Sequence, residues 1–290
     1  MSCPDCFKGS VHDYTSPVGC EETLFGVTTY VAGVPSQRTS PSTIVFITDL
    51  FGLNRVNNKL LADYFANVTG IRVLIPDLVP GGGVPVSALG LMENLTRPTK
   101  WWDIRGHISR AISFIKFIPY FLPVLTGTDG AYHKYLAYAR AVKAELPAQG
   151  KLGVAGYCWG GLQTSRLSKE PSLLDGKEPL IDAHYTAHPS SLKLPNDILD
   201  SVRQFKVPFS MAIGDRDFAV SKEQVVELEA RLREEFGNGD GEGGYHYEIK
   251  LYEGCEHGFA CRANRTKAFE DQSANMAALQ AVNLFKKWLL

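Results

Sequence analysis

Hydrophobic positions along the chain fall into two alternating patterns. Short apolar runs of strand length recur at residues 43–48 (Thr-Ile-Val-Phe-Ile-Thr), 72–76 (Arg-Val-Leu-Ile-Pro), 151–156 (Lys-Leu-Gly-Val-Ala-Gly) and 207–213 (Val-Pro-Phe-Ser-Met-Ala-Ile). Unbroken runs of this kind suit strands buried on both faces. Residues 247–252 alternate as a fifth strand, and the β-branched and aromatic stretch 23–32 predicts an edge strand or hairpin. Between them, residues 60–66, 159–169 and the charged 221–236 carry apolar positions at helical spacing. So does the closing stretch 266–290, marked by Phe269, Met276, Leu279, Val282, Leu284 and Trp288. The alternation predicts an α/β fold, with a mostly parallel central sheet and helices on both faces. Such sheets bind ligands beyond the carboxyl ends of their strands, so chemistry is expected in the loops that follow strands.

Residues 91–127 break the alternation. They begin with a polar stretch, pass Trp101 and Trp102, and continue with Ile and Phe at close intervals. The segment is too apolar for a surface loop and too long for an ordinary connection. It predicts a helix over 103–118, stopped by Pro119. Two roles stay open: a crossover helix packed on the sheet, or an apolar cap over a substrate pocket with Trp101 and Trp102 in its wall. No internal repeat appears, so the expectation is a single domain over 1–290, with an N-terminal arm over 1–22 and the insertion over 91–127.

Charge and composition narrow the function classes. Hydrophobic residues are 44% and charged residues 21% of the 290, which excludes a disordered or coiled-coil chain. Lys+Arg is 30 against 31 Asp+Glu. That balance gives no electrostatic footprint for nucleic acid or an anionic membrane, and the insertion has only a thin basic face. A small-molecule substrate, with a monomer or homodimer as the assembly, is the expectation. The start, Met-Ser-Cys-Pro-Asp-Cys-Phe-Lys, lacks the apolar core of a secretory signal. The expected compartment is therefore the cytoplasm, with the six cysteines as free thiols. Cys3 and Cys6 form a C-x-x-C pair, which is half a zinc site or a redox motif. No second pair follows, so the expectation is an arm with two thiols and no metal.

The most informative residues are Gly156-Tyr157-Cys158-Trp159-Gly160-Gly161, between an apolar strand and a helix. This is the G-x-S-x-G elbow with Cys in the Ser position: small residues permit a sharp turn that lifts the side chain above the sheet edge. The following helix points N–H groups toward the thiol and favours thiolate. A buried structural cysteine is the competing reading. A nucleophile needs a base, and the base an orienting acid. The loop after the fourth run, Gly214-Asp215-Arg216-Asp217, offers two carboxylates, of which Asp217 is better spaced to turn back toward a His and Asp215 is the close rival. After the fifth comes Glu253-Gly-Cys-Glu-His257-Gly-Phe259, which sets His257 on a glycine-flanked loop. His184 and His188 are the next candidates, expected to pack near a strand end after Leu180.

Taken together, Cys158, Asp217 and His257, with Thr48-Asp49-Leu50-Phe51-Gly52-Leu53-Asn54 after the first run, resemble the dienelactone hydrolase family of the α/β-hydrolases. The N-terminal Ser-Cys-Pro-Asp-Cys-Phe resembles its fungal members. The resemblance implies a cofactor-independent ester or lactone hydrolase working through an acyl thioester on Cys158. It implies that Asp49, where the family often has Glu, meets the resting thiol, and that the N–H groups of Leu50 and Trp159 form the oxyanion hole. It also implies that Arg262, one position further from the His than in the dienelactone-cleaving type, contacts an anionic substrate group. Phe259, Trp101 and Trp102 are further substrate-contact candidates, suited to a larger apolar ester or lactone. Two other readings stay open: a biosynthetic enzyme using the same pocket for lactone formation, isomerisation or another non-hydrolytic step, and a binding protein with a relict site.

Overall fold

The five apolar runs all become strands of one sheet, in a computed structural model that describes residues 16–96, 99–241 and 245–290. The strands are β1 (Cys20–Leu24), β2 (Val27–Ala32), β3 (Thr43–Ile47), β4 (Arg72–Pro76), β5 (Leu152–Tyr157), β6 (Ala183–Ala187), β7 (Phe209–Gly214) and β8 (Tyr247–Tyr252). Their order is β1-β2-β4-β3-β5-β6-β7-β8. The β1–β2 and β2–β4 pairs are antiparallel; every pair from β4 through β3 to β8 is parallel. This is the mostly parallel sheet expected from the alternation, in the α/β-hydrolase arrangement that the resemblance implies.

Period-two alternation sorts the buried side chains onto two faces. Ile44, Phe46, Val73, Ile75 and Tyr157 pack with Phe65 of α1 (Val56–Thr69) and Phe285 of α8 (Ala268–Leu289). Val45, Ile47, Leu74 and Val154 pack on the other face with Tyr135, Tyr138 and Val142 of α3 (Ile104–Glu145). A third cluster joins β7 to α5 (Asn196–Phe205) and α6 (Lys222–Phe236) through Phe209, Met211, Leu199 and Leu228. Each fully buried large side chain contributes about 1.5–3 kcal/mol before entropy is counted.

Three expectations are corrected. The sheet has a strand, β6, that the apolar pattern did not reveal. Its sequence, Ala-His-Tyr-Thr-Ala, is fully buried because its polar groups are satisfied: His184 Nε2 lies 3.0 Å from Thr164 Oγ1, and the Thr186 hydroxyl donates to the Gly156 carbonyl at 3.2 Å. The arm expected over 1–22 gives way at Cys20 to edge strand β1; residues 1–15, with Cys3 and Cys6, lie outside the described residues.

The insertion helix, third, does not stop at Pro119. It runs on through Pro119 and Pro123 to Glu145. Each proline removes a helical N–H, but one face keeps burying residues at helical spacing: Phe117, Val124, Ala131, Tyr135 and Tyr138. Tertiary packing of that face outweighs the local interruption. The helix is thus a crossover packed on the sheet in its second half, while much of its first half is exposed.

The β5 turn has little spare room. After α4 (Trp159–Leu167) begins, a Cβ on Gly160 would strike the Ile47 carbonyl and lie 2.7 Å from that of Thr48. Gly160→Ala should therefore cost about 1–3 kcal/mol, read as a lowered thermal midpoint; an unchanged midpoint would show that the turn can yield.

Candidate active site

The loops after β3, β5, β6, β7 and β8 converge at one edge of the sheet, where the parallel strands end. Cys158 occupies the β5 turn with φ 53° and ψ −115°, a conformation rarely adopted by residues with a side chain. Its neighbours hold it there. The Cys158 N–H donates to the Ala187 carbonyl at 3.1 Å, and its own carbonyl accepts from Ser190 N at 2.9 Å and Gly161 N at 3.0 Å. Crowding explains the glycines: a Cβ on Gly156 or Gly161 would sit 2.6 Å from the hydroxyl of Thr164 or Thr186. The thiol is buried at the N-terminus of α4, with its sulfur 3.8 Å from Ser190 Oγ.

His257 follows β8. Gly258, at φ 90°, lets the chain turn immediately behind it. Nδ1 lies 2.9 Å from both carboxylate oxygens of Asp217. The Asp217 carboxylate is itself held by the Ala219 N–H at 2.8 Å. Asp215, the rival carboxylate, instead belongs to the turn, where its N–H donates to the Tyr252 carbonyl at 3.0 Å. A carboxylate only accepts, so the Nδ1 proton points at Asp217 and Nε2 remains for chemistry. Nε2 is buried, and the ring's second hydrogen bond is with the Cys158 sulfur. Burial by itself would push the His257 pKa down. The Cys158 sulfur, by charge and hydrogen bonding, and the Asp217 carboxylate together outweigh it, raising the pKa to about 9. Phe218 covers one side of the ring at 4.7 Å and His188 packs edge-on at 5.0 Å. His188 is kept neutral: burial, then His257 and Arg262, push its pKa far down.

Asp49, after β3, is fully buried. One of its oxygens accepts from Asn58 Nδ2 at 3.0 Å and Phe51 N at 3.2 Å. The other faces Cys261 Sγ at 3.9 Å and Arg262 Nε at 4.0 Å. Asp49 is thus anchored toward Arg262 by its short side chain. Burial, then the Asp49 carboxylate, raise the Cys261 pKa, which leaves that thiol protonated and a poor nucleophile. The Phe51 ring lies 4.8 Å from the Arg55 guanidinium and 6.0 Å from that of Arg262. Arg262, from the short helix α7 (Phe259–Arg262), is 1% exposed, and its three side-chain nitrogens lack hydrogen bonds among the described residues. Two guanidiniums around one carboxylate leave this corner cationic.

Leu50 lies in the loop after β3, the neighbour of the thiol's strand β5, and Trp159 opens α4 directly after the thiol. Trp159 is the first residue of its helix, so its N–H has no intrahelical acceptor. Its indole N–H donates to Thr128 Oγ1 at 3.2 Å and its ring packs on Tyr135 at 6.1 Å, tying the elbow to α3. Phe259 packs inward on Tyr252 at 4.9 Å and backs His188 at 6.0 Å. Trp101 and Trp102 are 83% and 59% exposed, packed on each other ahead of α3, so they do not form a buried pocket wall. Ser190, Phe218, Asn58 and Arg55 belong to the site without having stood out in the chain. Ser190 follows the strand β6 two residues after His188, which the sequence offers as a candidate; a search of the loop after that strand would have found it. Among the described residues, no group of three or more His, Cys, Asp or Glu side chains is placed to hold a metal ion.

Comparison with known proteins identifies the family and the fold. The model of the dienelactone hydrolase family matches residues 27–289. Hydrolase pyvD of Aspergillus violaceofuscus is 26% identical over 284 residues, covering 98% of this chain and 96% of its own. Hydrolase tropI of Talaromyces stipitatus is 25% identical, covering 98% and 95%. Among solved structures, an esterase of Pyrococcus furiosus superposes with a TM-score of 0.54 at 14% identity, over 100% of this chain and 97% of its own. The chain therefore belongs to the dienelactone hydrolase family, as a carboxylic ester or lactone hydrolase of the α/β-hydrolase fold.

Proposed function

We propose that the enzyme cleaves a carboxylated ester or lactone through an acyl thioester on Cys158, with His257 and Asp217 completing the triad. The observation that carries this reading is His257: one ring nitrogen is held by Asp217, and the ring also hydrogen-bonds the sulfur of a strained, buried Cys158. The Cys158 sulfur attacks the carbonyl carbon. The N–H groups of Leu50 and Trp159 receive the oxyanion, a contribution of about 3–4 kcal/mol for each such donor. Collapse breaks the C–O bond, and the leaving alkoxide or enolate takes the proton from His257 Nε2. His257 then removes a proton from water, which attacks the thioester; the acid departs and the sulfur is restored. The cationic corner at Arg262, with Arg55 beside it, supports a substrate bearing a carboxylate, because an anion there would satisfy the Arg262 nitrogens that lack hydrogen bonds among the described residues. Asp49 positions Arg262 in this reading.

Intact-mass measurement after brief exposure to an activated aryl ester tests the nucleophile. The expected result is an acyl adduct on the wild type, absent in Cys158→Ala. An adduct surviving that substitution, or turnover with no dependence on it, would place the chemistry elsewhere.

Asp217→Asn should lower kcat by about 10²–10⁴-fold, because the wrong tautomer of His257 is then held. The pH profile has a definite sign. The raised His257 pKa means the imidazolium persists to about pH 9 and is lost above it, so kcat should fall as pH rises through that value. Wild-type activity that keeps rising beyond pH 10 would contradict the assignment of His257 as the proton donor. Arg262→Met should raise KM about tenfold or more for a carboxylated aryl ester and change KM little for its neutral analogue; equal effects on both would remove Arg262 from substrate recognition.

A further inference from the structure

The first half of α3 presents an apolar face that the chain leaves open. From Ile104 to Leu125, nine large hydrophobic side chains are exposed, by as much as 71% at Ile104 and 66% at Ile115. The helix is apolar enough over 18 residues to resemble a membrane span, yet only 17% of that window is buried, so it is not a core helix. Tyr120 stands on the side of Ser113, and the other eight are mostly Ile and Leu, smaller than the aromatic side chains that bury about 150–250 Å² each, so the face presents at most on the order of 1,000 Å². The largest apolar patch of a typical monomer is about 300–600 Å², whereas a stable dimer needs about 800 Å² from each partner.

Spacing identifies what the face fits. Ile108, Ala111, Ile115, Ile118, Leu122 and Leu125 recur at alternating steps of three and four residues, the 3.5-residue period of a helix–helix seam. All six are exposed, and both prolines of the helix lie off the stripe. The opposite side is committed to the body of the protein through Ser113, Phe117 and Val124. Past Arg105 and His107, the positions bordering the stripe are uncharged: Ile112, Phe114, Pro119 and Phe121. A helix lying on anionic lipid instead borders its apolar face with Lys and Arg. A seam with apolar borders suits another helix of the same kind.

We propose that this face pairs two copies of the chain, antiparallel and related by a two-fold axis. In that register Ile115 of one copy meets Ile118 of the other, Ile108 meets Leu125, and the small Ala111 meets Leu122. The ends carry complementary charge. Arg105 precedes the stripe, while Asp129, paired with Arg166 of its own chain at 2.8 Å but with its side chain 83% exposed, follows it, and antiparallel pairing brings Arg105 to the open side of that carboxylate. The contact is isologous and closes at two copies. It lies on the side of α3 away from Thr128 and Trp159, so pairing leaves the thiol site unobstructed.

Sedimentation of the full chain from about 1 to 100 µM tests the pairing, since an interface of this area spans micromolar to tighter affinities. The expected mass is twice 31.9 kDa. Ile115→Glu and Ile118→Glu should each weaken association by at least about tenfold and return the mass to 31.9 kDa, with an unchanged thermal midpoint measured on the monomer and unchanged ester turnover. A wild type that is monomeric throughout, or a dimer indifferent to both substitutions, overturns the proposal. So does a monomer that floats with anionic phosphatidylserine vesicles and loses that binding in Ile115→Glu, which would assign the face to lipid.

Discussion

The structure of the site rests on a buried imidazole held between a carboxylate and a sulfur. His257 has no exposed side-chain surface, and neither does Asp217. Burial works against an imidazolium, and only the combined pull of Cys158 and Asp217 reverses that effect. Since the folded pKa is raised, the pair stabilises the fold fully below the unfolded imidazole value of about 6.5 and loses that contribution as pH rises through about 9. The same requirement explains the surrounding architecture. Cys158 must stay in its unfavourable backbone conformation, and the end of β6 and the loop after it hold it there through Ala187 and Ser190. His257 must stay oriented, which the Ala219–Asp217 contact and the Phe218 and His188 rings ensure.

Strands β3, β4, β5 and β7 were legible because buried parallel strands are written as continuous apolar runs, and β8 because its residues alternate. The strand β6 was not, because His184 and Thr186 look polar in isolation; their partners, Thr164 and the Gly156 carbonyl, are distant in the chain. The length of α3 was misread for a related reason. Pro119 signals a stop locally, whereas the burial that carries the helix past it comes from the sheet and from the loop at Pro80–Gly82, where Gly81 and Gly127 lie close to Pro123 and Pro80.

The site divides in the same way. Cys158, Asp217 and His257 were readable because each follows a recognised strand within a glycine-marked loop, and loops after parallel strands share one edge of the sheet. The partners of Asp49 were not readable. Its contacts with Asn58, Cys261 and Arg262 join α1, α7 and the β3 loop, and no local pattern records that meeting. Trp101 and Trp102 illustrate the converse. Their apolar character suggested a pocket wall, but they lie exposed beside an apolar helix face, and hydrophobicity alone does not say which surface a side chain serves.

Titration of the His257 ring by NMR in uniformly 15N-labelled protein tests the central claim most directly. The account predicts an imidazolium that persists to about pH 9 in the wild type and a marked fall in its pKa in Cys158→Ala, where burial is no longer opposed by the sulfur. A wild-type His257 that is already neutral at pH 7, or one whose titration is the same without Cys158, would contradict it.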